Sequence, residues 1–460
     1  MLTILFDIFP ATGHYNATFK LAKLLSKRGH RIVYIGPAEF SEKINSFGFE
    51  FHIINPHILD PDIAEHGLLV FFLEHFLALF SRAKRGVVIE RMNEYDDLIR
   101  KYSPDLLVLD DHYIYKAVFY HKYKTKVIAV QSMIAKERDK RIPPFQSTVI
   151  PNFKFGCKLL ISSLWLIHLI KKRKDLLLNK TLAFGQDGFS VTKKLAIDYG
   201  FPFRENINHQ LSLGAGFKNI PVFKLSPRDF DFPRQPIWNH YYVGPLVDLD
   251  REKVITDLRY LEVVRKLALL KREGKKVFII YCSLGTVTDA EIKLCDIFFQ
   301  RIVEVCNANP HYQLILSIGK YYNATRLLPK PVNLYIFQQV PQIDLLSHAD
   351  LMINHGGINS ISECIFAGVP MLAFPLSPHW DQNGCAARVV YHNLGLRGNI
   401  KRDGANSISK KIDFIFANYD RYKQSVLKMR SKFDILNNST GAACIIEDIA
   451  NRNYELLYKR

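Results

Sequence analysis

From Leu334 to Arg388, short apolar runs alternate with polar, glycine-rich corners, a rhythm that suits parallel strands feeding helices and little else. Leu351–Asn354 has the make-up of a buried strand, His355-Gly356-Gly357 that of a tight turn, and Ile358–Ala367 that of a helix. Gly368 stands where a helix would end, and Val369–Phe374 reads as the next strand. A glycine-rich turn entering a helix aims unbonded N–H groups and the positive end of the helix dipole outward, which suits a phosphate. His355, Asn359 and Ser360 add side-chain donors at the same corner, and Glu363, one turn further on, is placed for sugar hydroxyls. In outline the stretch is a nucleotide-sugar site.

The beginning of the chain repeats the strand-to-helix pattern. Thr3–Phe9 reads as a strand, Pro10–His14 as a turn, and Asn16–Arg28 as a helix with Ala17, Leu21, Leu24 and Leu25 on one face. Gly29 closes that helix and Arg31–Ile35 is a second strand, so the α/β class with a doubly wound parallel sheet is expected. No GxGxxG follows the first strand, which disfavours a dinucleotide cofactor. Pro104–Leu109 is a further buried strand that ends in Asp110-Asp111. In such sheets functional groups gather beyond the carboxyl ends of the strands, where both His14 and this acidic pair fall. In the second half, a buried strand leads into Ser283-Leu284-Gly285-Thr286, a small-residue turn entering a helix, and Gly285 would permit close backbone approach. Gln313–Ser317 and Asn333–Phe337 supply strands, and Ile408–Ala417 and Tyr419–Leu436 look helical.

Together these segments closely resemble the UDP-glycosyltransferases of the GT-B fold, family 1 glycosyltransferases of the bacterial type that act on small lipophilic acceptors such as carotenoids, macrolides or flavonoids. The resemblance rests on Val340-Pro341-Gln342, His355-Gly356-Gly357 with Asn359, Ser360 and Glu363, Ala367–Pro370, and Asp381-Gln382. The opening GHYNATFKLAKLLSKRGHRIVY belongs to it too, with Ala17 where relatives carry proline. It implies two Rossmann-like domains facing each other across a cleft: residues 1–240 binding the acceptor, 241–436 binding the nucleotide-sugar, and 437–460 crossing back as terminal helices. It implies transfer of a hexose, glucose first, from a UDP-sugar to an acceptor hydroxyl with inversion. His14 maps to the general base and Asp110 to its carboxylate partner, Asp111 being the less well aligned choice. Donor positions would be Ser283, Gly285, Thr286, Gln339, Val340, Gln342, His355, Gly357, Asn359, Ser360 and Glu363, with Asp381 and Gln382 on the donor sugar. No metal and no cofactor beyond the UDP-sugar co-substrate are implied. One position departs: many relatives place a tryptophan against the uracil where this chain has Gln339. Phe337 shares its strand face but lies about 6–7 Å further back, so it is no replacement.

Composition narrows the partners. At 460 residues, 48% apolar and 23% charged, the chain suits two folded domains. The formal charge of +18 invites anionic ligands or surfaces, but zinc-finger spacing, RNP-like aromatics and basic heptad helices are all missing, so nucleic acid is not an expected partner. Seven cysteines without CxxC pairs suit a reducing compartment. The DxD strings at Asp60–Asp62, Asp229–Asp231 and Asp248–Asp250 lie in linker-like settings and are not read as metal ligands. Lys224–Leu246 reads as extended chain between domains. Two stretches, Gly67–Phe80 and Phe155–Ile170, are strongly apolar, and the second runs into Lys171-Lys172-Arg173-Lys174. They could line the acceptor cleft or lie on an anionic membrane. His112 is expected to face solvent or acceptor. The opening has no basic leader and no run reaches the ~20 apolar residues of a membrane span, so a cytoplasmic location is expected, with peripheral contact at the inner membrane face left open. A nucleotide-sugar epimerase, a lipid-linked-sugar transferase and a non-catalytic nucleotide-binding partner remain as alternatives.

Overall fold

The structure is a computed structural model, and residues 1–54, 94–152, 154–185, 187–212, 214–251, 257–274, 277–285, 291–437 and 440–452 are described. Gly67–Phe80, the Asp60–Asp62 string and Thr286 lie outside them.

Two all-parallel sheets organise the chain. The first is built from β1 (Thr3–Asp7), β2 (Arg31–Gly36), β3 (Glu50–Ile53), β4 (Leu106–Asp110) and β5 (Lys126–Gln131). A small antiparallel pair, β6 (Ile207–Asn208) and β7 (Gly216–Phe217), stands apart before β8 (Val222–Lys224) and β9 (His240–Tyr242) complete the first sheet in the order β3-β2-β1-β4-β5-β8-β9. The second contains β10 (Phe278–Ser283), β11 (Tyr312–Ser317), β12 (Leu334–Phe337), β13 (Leu351–Asn354), β14 (Met371–Ala373) and β15 (Gly395–Arg397), ordered β12-β11-β10-β13-β14-β15. The central strands are near-continuous apolar runs because helices cover both faces. In each sheet the strand order reverses beside the first strand, between β1 and β4 and between β10 and β13, which opens a crevice at the carboxyl ends.

Local chemistry explains most element boundaries, including those that differ from the sequence reading. The helix Ile358–Ala367 has the expected limits, because Gly368 takes a left-handed φ of 72° that stops it. The expected strand Val369–Phe374 contracts to Met371–Ala373, since Pro370 has no N–H to give the ladder. The first strand ends at Asp7, two residues early, and its helix begins at Thr12 after an extended Ala11. His14 therefore sits in the first helical turn, with its N–H bonded to the Ala11 carbonyl, and not in a loop. The Lys224–Leu246 stretch is more than a connector: it carries β9 into the first sheet, in parallel register with β8.

The two halves share packed surfaces. Met133, Ile134 and Phe145 of the first half join one apolar cluster with Ile358, Ile361 and Cys385 of the second. Beside it, Arg388 is 1% exposed and donates to Asp231 Oδ1 from Nε (2.9 Å) and Nη2 (2.6 Å), while Arg234 lies 2.7 Å from the other oxygen. At the end of the chain the helix Gly441–Asn451 lays Ala442, Ala443, Ile446 and Ile449 against the first-half core, and its Glu447 receives Arg28 (2.6 Å) and His30 (2.8 Å). Removing Arg388 takes two hydrogen bonds from the buried Asp231 and leaves Arg234 as its remaining ion-pair partner, so Arg388→Ala should cost about 3 kcal/mol in denaturant unfolding. A cost below about 1 kcal/mol would mean the junction does not lean on this pair.

Candidate active site

The crevice of the first sheet holds a carboxylate between two imidazoles. Asp110, the last residue of β4 and 1% exposed, meets His14 Nδ1 with Oδ2 at 2.7 Å. Its other oxygen accepts from the backbone N–H (3.0 Å) and Nδ1 (2.9 Å) of His112. The strand order creates this meeting, because β1 and β4 are neighbours and release His14 and Asp110 at the same end. Ser132 Oγ lies 3.2 Å from His14 Nδ1. Burial alone would raise the Asp110 pKa, but the charges and hydrogen bonds of His14 and His112 hold it well below the usual carboxylate range. Asp111 faces elsewhere, to Lys136 Nζ (2.7 Å) and Gln131 Nε2 (2.9 Å). Of the two acids, Asp110 is the one at His14.

His112 differs from its sequence reading. It faces neither solvent nor cleft first but bonds back to Asp110, with Asp111 Oδ1 at 3.2 Å, because the short 3-10 turn Asp111–Tyr113 folds it over the strand end. Burial opposes its charge, yet the two carboxylates outweigh that and push its pKa up to about 9. The rings of His14 and His112 meet edge to face at 4.9 Å, Phe9 lies 5.1 Å from His112, and Trp380 approaches it at 5.8 Å from the second half. Among the described residues these three, His14, Asp110 and His112, bring possible metal-ligand atoms within 4.8 Å of one another, and each Nδ1 is already directed at the carboxylate.

Opposite this cluster, the second sheet presents its glycine-rich corner. Gly285, just after β10, has φ +77°, and a Cβ there would come within 2.6 Å of His355 Cε1; one on Gly357 would come within 2.6 Å of His355 Nε2. His355 thus lies between two glycines. Burial pushes its pKa down to about 4, so it is a neutral imidazole at physiological pH, and its Nδ1 has no partner among the described residues. Ser283 Oγ accepts from the Gly285 N–H at 3.3 Å. Gln342 Nε2 donates to Glu363 (2.6 Å) and reaches Ser360 Oγ (3.3 Å). Glu363 is 4% exposed and also receives Arg251 Nη1 at 2.7 Å. Gln339 is exposed and Val340 half-buried, and Phe337 is in the core against Tyr260 and Arg259.

Three of the donor positions have partners that the sequence did not foretell. Asn359 Nδ2 donates to the Gly13 carbonyl at 2.7 Å, joining the corner to the turn that carries His14. Asp381, buried and with its pKa raised by that burial, accepts from the Ile134 N–H at 3.0 Å. Gln382 Oε1 accepts from the N–H groups of Leu376 (2.7 Å) and Ser377 (2.9 Å), bracing the loop before it. Arg251, Ser132 and Trp380 were missed because each reaches the crevice from a loop without periodicity. His112 was visible in the sequence but its direction was not.

Comparison with known proteins fits this geometry. Residues 323–433 match the family described as UDP-glucoronosyl and UDP-glucosyl transferase. The zeaxanthin glucosyltransferase of Pantoea ananas is 26% identical over 460 residues, covering 96% of this chain and 94% of the relative. The NDP-glycosyltransferase YjiC of Bacillus subtilis is 24% identical, covering 84% and 82%. These comparisons support a likeness to the bacterial family 1 glycosyltransferases. The chain has the GT-B fold: the solved glycotransferase of kitacinnamycin superposes with a TM-score of 0.69 at 18% identity, covering 98% of this chain and 99% of that one. It is a UDP-sugar-dependent enzyme that moves a sugar from a nucleotide-sugar to a small acceptor.

His112 gives the enzyme a pH signature in stability. The His112 pKa is raised by folding, from an ordinary value near 6.5 to about 9. Its contribution is therefore complete below pH ~6.5 and lost as pH rises through ~9, at most about 3 kcal/mol. Unfolding free energy measured across this window should fall for the wild type, and His112→Gln should flatten the fall. Parallel pH profiles would show that His112 is neutral in the folded enzyme.

Proposed function

We propose that the enzyme transfers a hexose, glucose in the first instance, from UDP-sugar to a hydroxyl of a small lipophilic acceptor, with inversion and without a metal. The observation that carries this reading is the His14–Asp110 contact of 2.7 Å at one switch point, facing the glycine-rich corner of the other and tied to it through Asn359 and Gly13.

With its Nδ1–H held by Asp110, His14 has Nε2 free to accept a proton. As the acceptor oxygen attacks the anomeric carbon, its proton passes to Nε2 and the bond from that carbon to the diphosphate oxygen breaks, its electron pair leaving with UDP. Asp110 keeps the imidazole in this tautomer and stabilises the imidazolium that forms. His112, cationic on the far oxygen, keeps Asp110 ionised throughout. The departing diphosphate gains charge near the N–H groups of Gly357 and Gly285, the start of the helix Ile358–Ala367, the neutral ring of His355 and the Ser360 hydroxyl. Those groups supply the compensation a metal would otherwise give. Glu363, braced by Gln342 and Arg251, would receive the ribose hydroxyls, and Asp381 and Gln382 would hold hydroxyls of the hexose. With Gln339 in place of an aromatic ring, the uracil would rest against Val340 more than on a stacking partner. The acceptors in the names of relatives, zeaxanthin and demethyllactenocin, support a lipophilic alcohol here.

His14→Ala should lower kcat by about 10²–10⁴ with UDP affinity nearly unchanged in calorimetry; unchanged turnover would remove His14 from the base role. Asp110→Asn should lower kcat in the same assay with little effect on the donor KM. A chelator should leave most activity, and the product of an α-linked donor should be β-linked by NMR. Retained configuration would contradict direct displacement.

A further inference from the structure

The helix Phe155–Leu182 has apolar side chains on two faces, and among the described residues only one of these faces is buried. Its inner stripe is Ile161, Trp165, His168 and Lys172, at helical spacing. Ile161 and Trp165 are buried, Trp165 Nε1 donates to the Ile142 carbonyl (2.7 Å), His168 Nε2 bonds the Ser212 carbonyl (2.6 Å) and Lys172 the Leu211 carbonyl (2.9 Å). These bonds fix the helix's rotation. On the opposite side Phe155, Leu159, Leu166, Ile167, Ile170 and Leu177 are between 54% and 76% exposed. They extend over about 33 Å of helix. Phe155–Ile170 was expected either to line the acceptor cleft or to lie on a membrane, and these exposed side chains lie opposite the stripe that holds the helix to the chain.

We infer that this outer face is a docking surface for an anionic lipid membrane. Lys171, Arg173 and Lys174 flank it, are exposed, and make no ion pair among the described residues. Asp175 is the one acidic residue of the helix. A second copy of the chain seated on the same face would confront these cations without carboxylates to match them. An anionic bilayer satisfies both features, taking the apolar side chains into its interface and the lysines and arginine among its headgroups. No helix among the described residues is long and apolar enough to cross a membrane, so the contact lies in the plane of the surface. The inner stripe rests on the Ile142 region of the same loop whose Ile134 N–H bonds Asp381, so the docked helix and the cleft share one support.

The test is vesicle co-sedimentation of the full chain with phosphatidylcholine alone and with phosphatidylcholine mixed with phosphatidylglycerol. The wild type should bind the anionic vesicles and lose binding as salt rises. Leu166→Gln/Ile170→Gln, and separately Lys171→Gln/Arg173→Gln/Lys174→Gln, should each weaken binding roughly 10- to 100-fold with the melting temperature unchanged. Wild-type protein that ignores anionic vesicles overturns the inference, as do variants that bind equally well. A glutamine pair that instead dissolves a dimer in size-exclusion chromatography assigns the face to a second copy. One that lowers the melting temperature without changing vesicle binding shows the face is covered within the chain, and either result also overturns it.

Discussion

A buried carboxylate must have its charge answered, and Asp110 has two imidazoles to do so. That demand orders the first half of the molecule. It requires β1 and β4 to be adjacent, it requires the helix to start early enough for His14 to point back at the strand end, and it draws His112 over the same oxygens. With its Nδ1 committed to Asp110, His14 is left with Nε2 as its other ring nitrogen. A catalytic proton would have a single place to go.

The second half meets the same kind of constraint with backbone in place of charge. His355 fits only because Gly285 and Gly357 have no side chains, and in the proposed reaction this corner would receive the anionic leaving group. Asn359 and Asp381 then reach across to Gly13 and Ile134. The positions read from sequence as donor contacts are thus also the fasteners between the halves. In the proposed reaction this couples donor binding to the placing of the base, since a shift of the corner would pull on the turn before His14.

Sequence reading succeeded where chemistry was local. Gly368 ends its helix through its own φ, and the residues from Leu351 to Ala367 took their expected elements because each is punctuated by glycine or an abrupt polarity change. The His14–Asp110 pairing came through resemblance, and the fold brings the two together across 96 residues. What stayed hidden depends on direction or on distant contact. Arg251 reaches Glu363 across 112 residues from a loop with no period. His112 is two residues from its partner, and no pattern says that a side chain folds back on its own strand. The helix Phe155–Leu182 concealed its orientation because it is apolar on both sides, so periodicity could not tell the buried stripe from the exposed one.

The carboxylate between two imidazoles is most directly examined by nitrogen NMR of histidine-labelled enzyme at pH 7.5, with His14→Gln and His112→Gln used to assign the signals. The account predicts a His14 protonated at Nδ1 with Nε2 bare whenever it is neutral, and a His112 protonated on both nitrogens. A His14 carrying its proton on Nε2 together with a neutral His112 would contradict it.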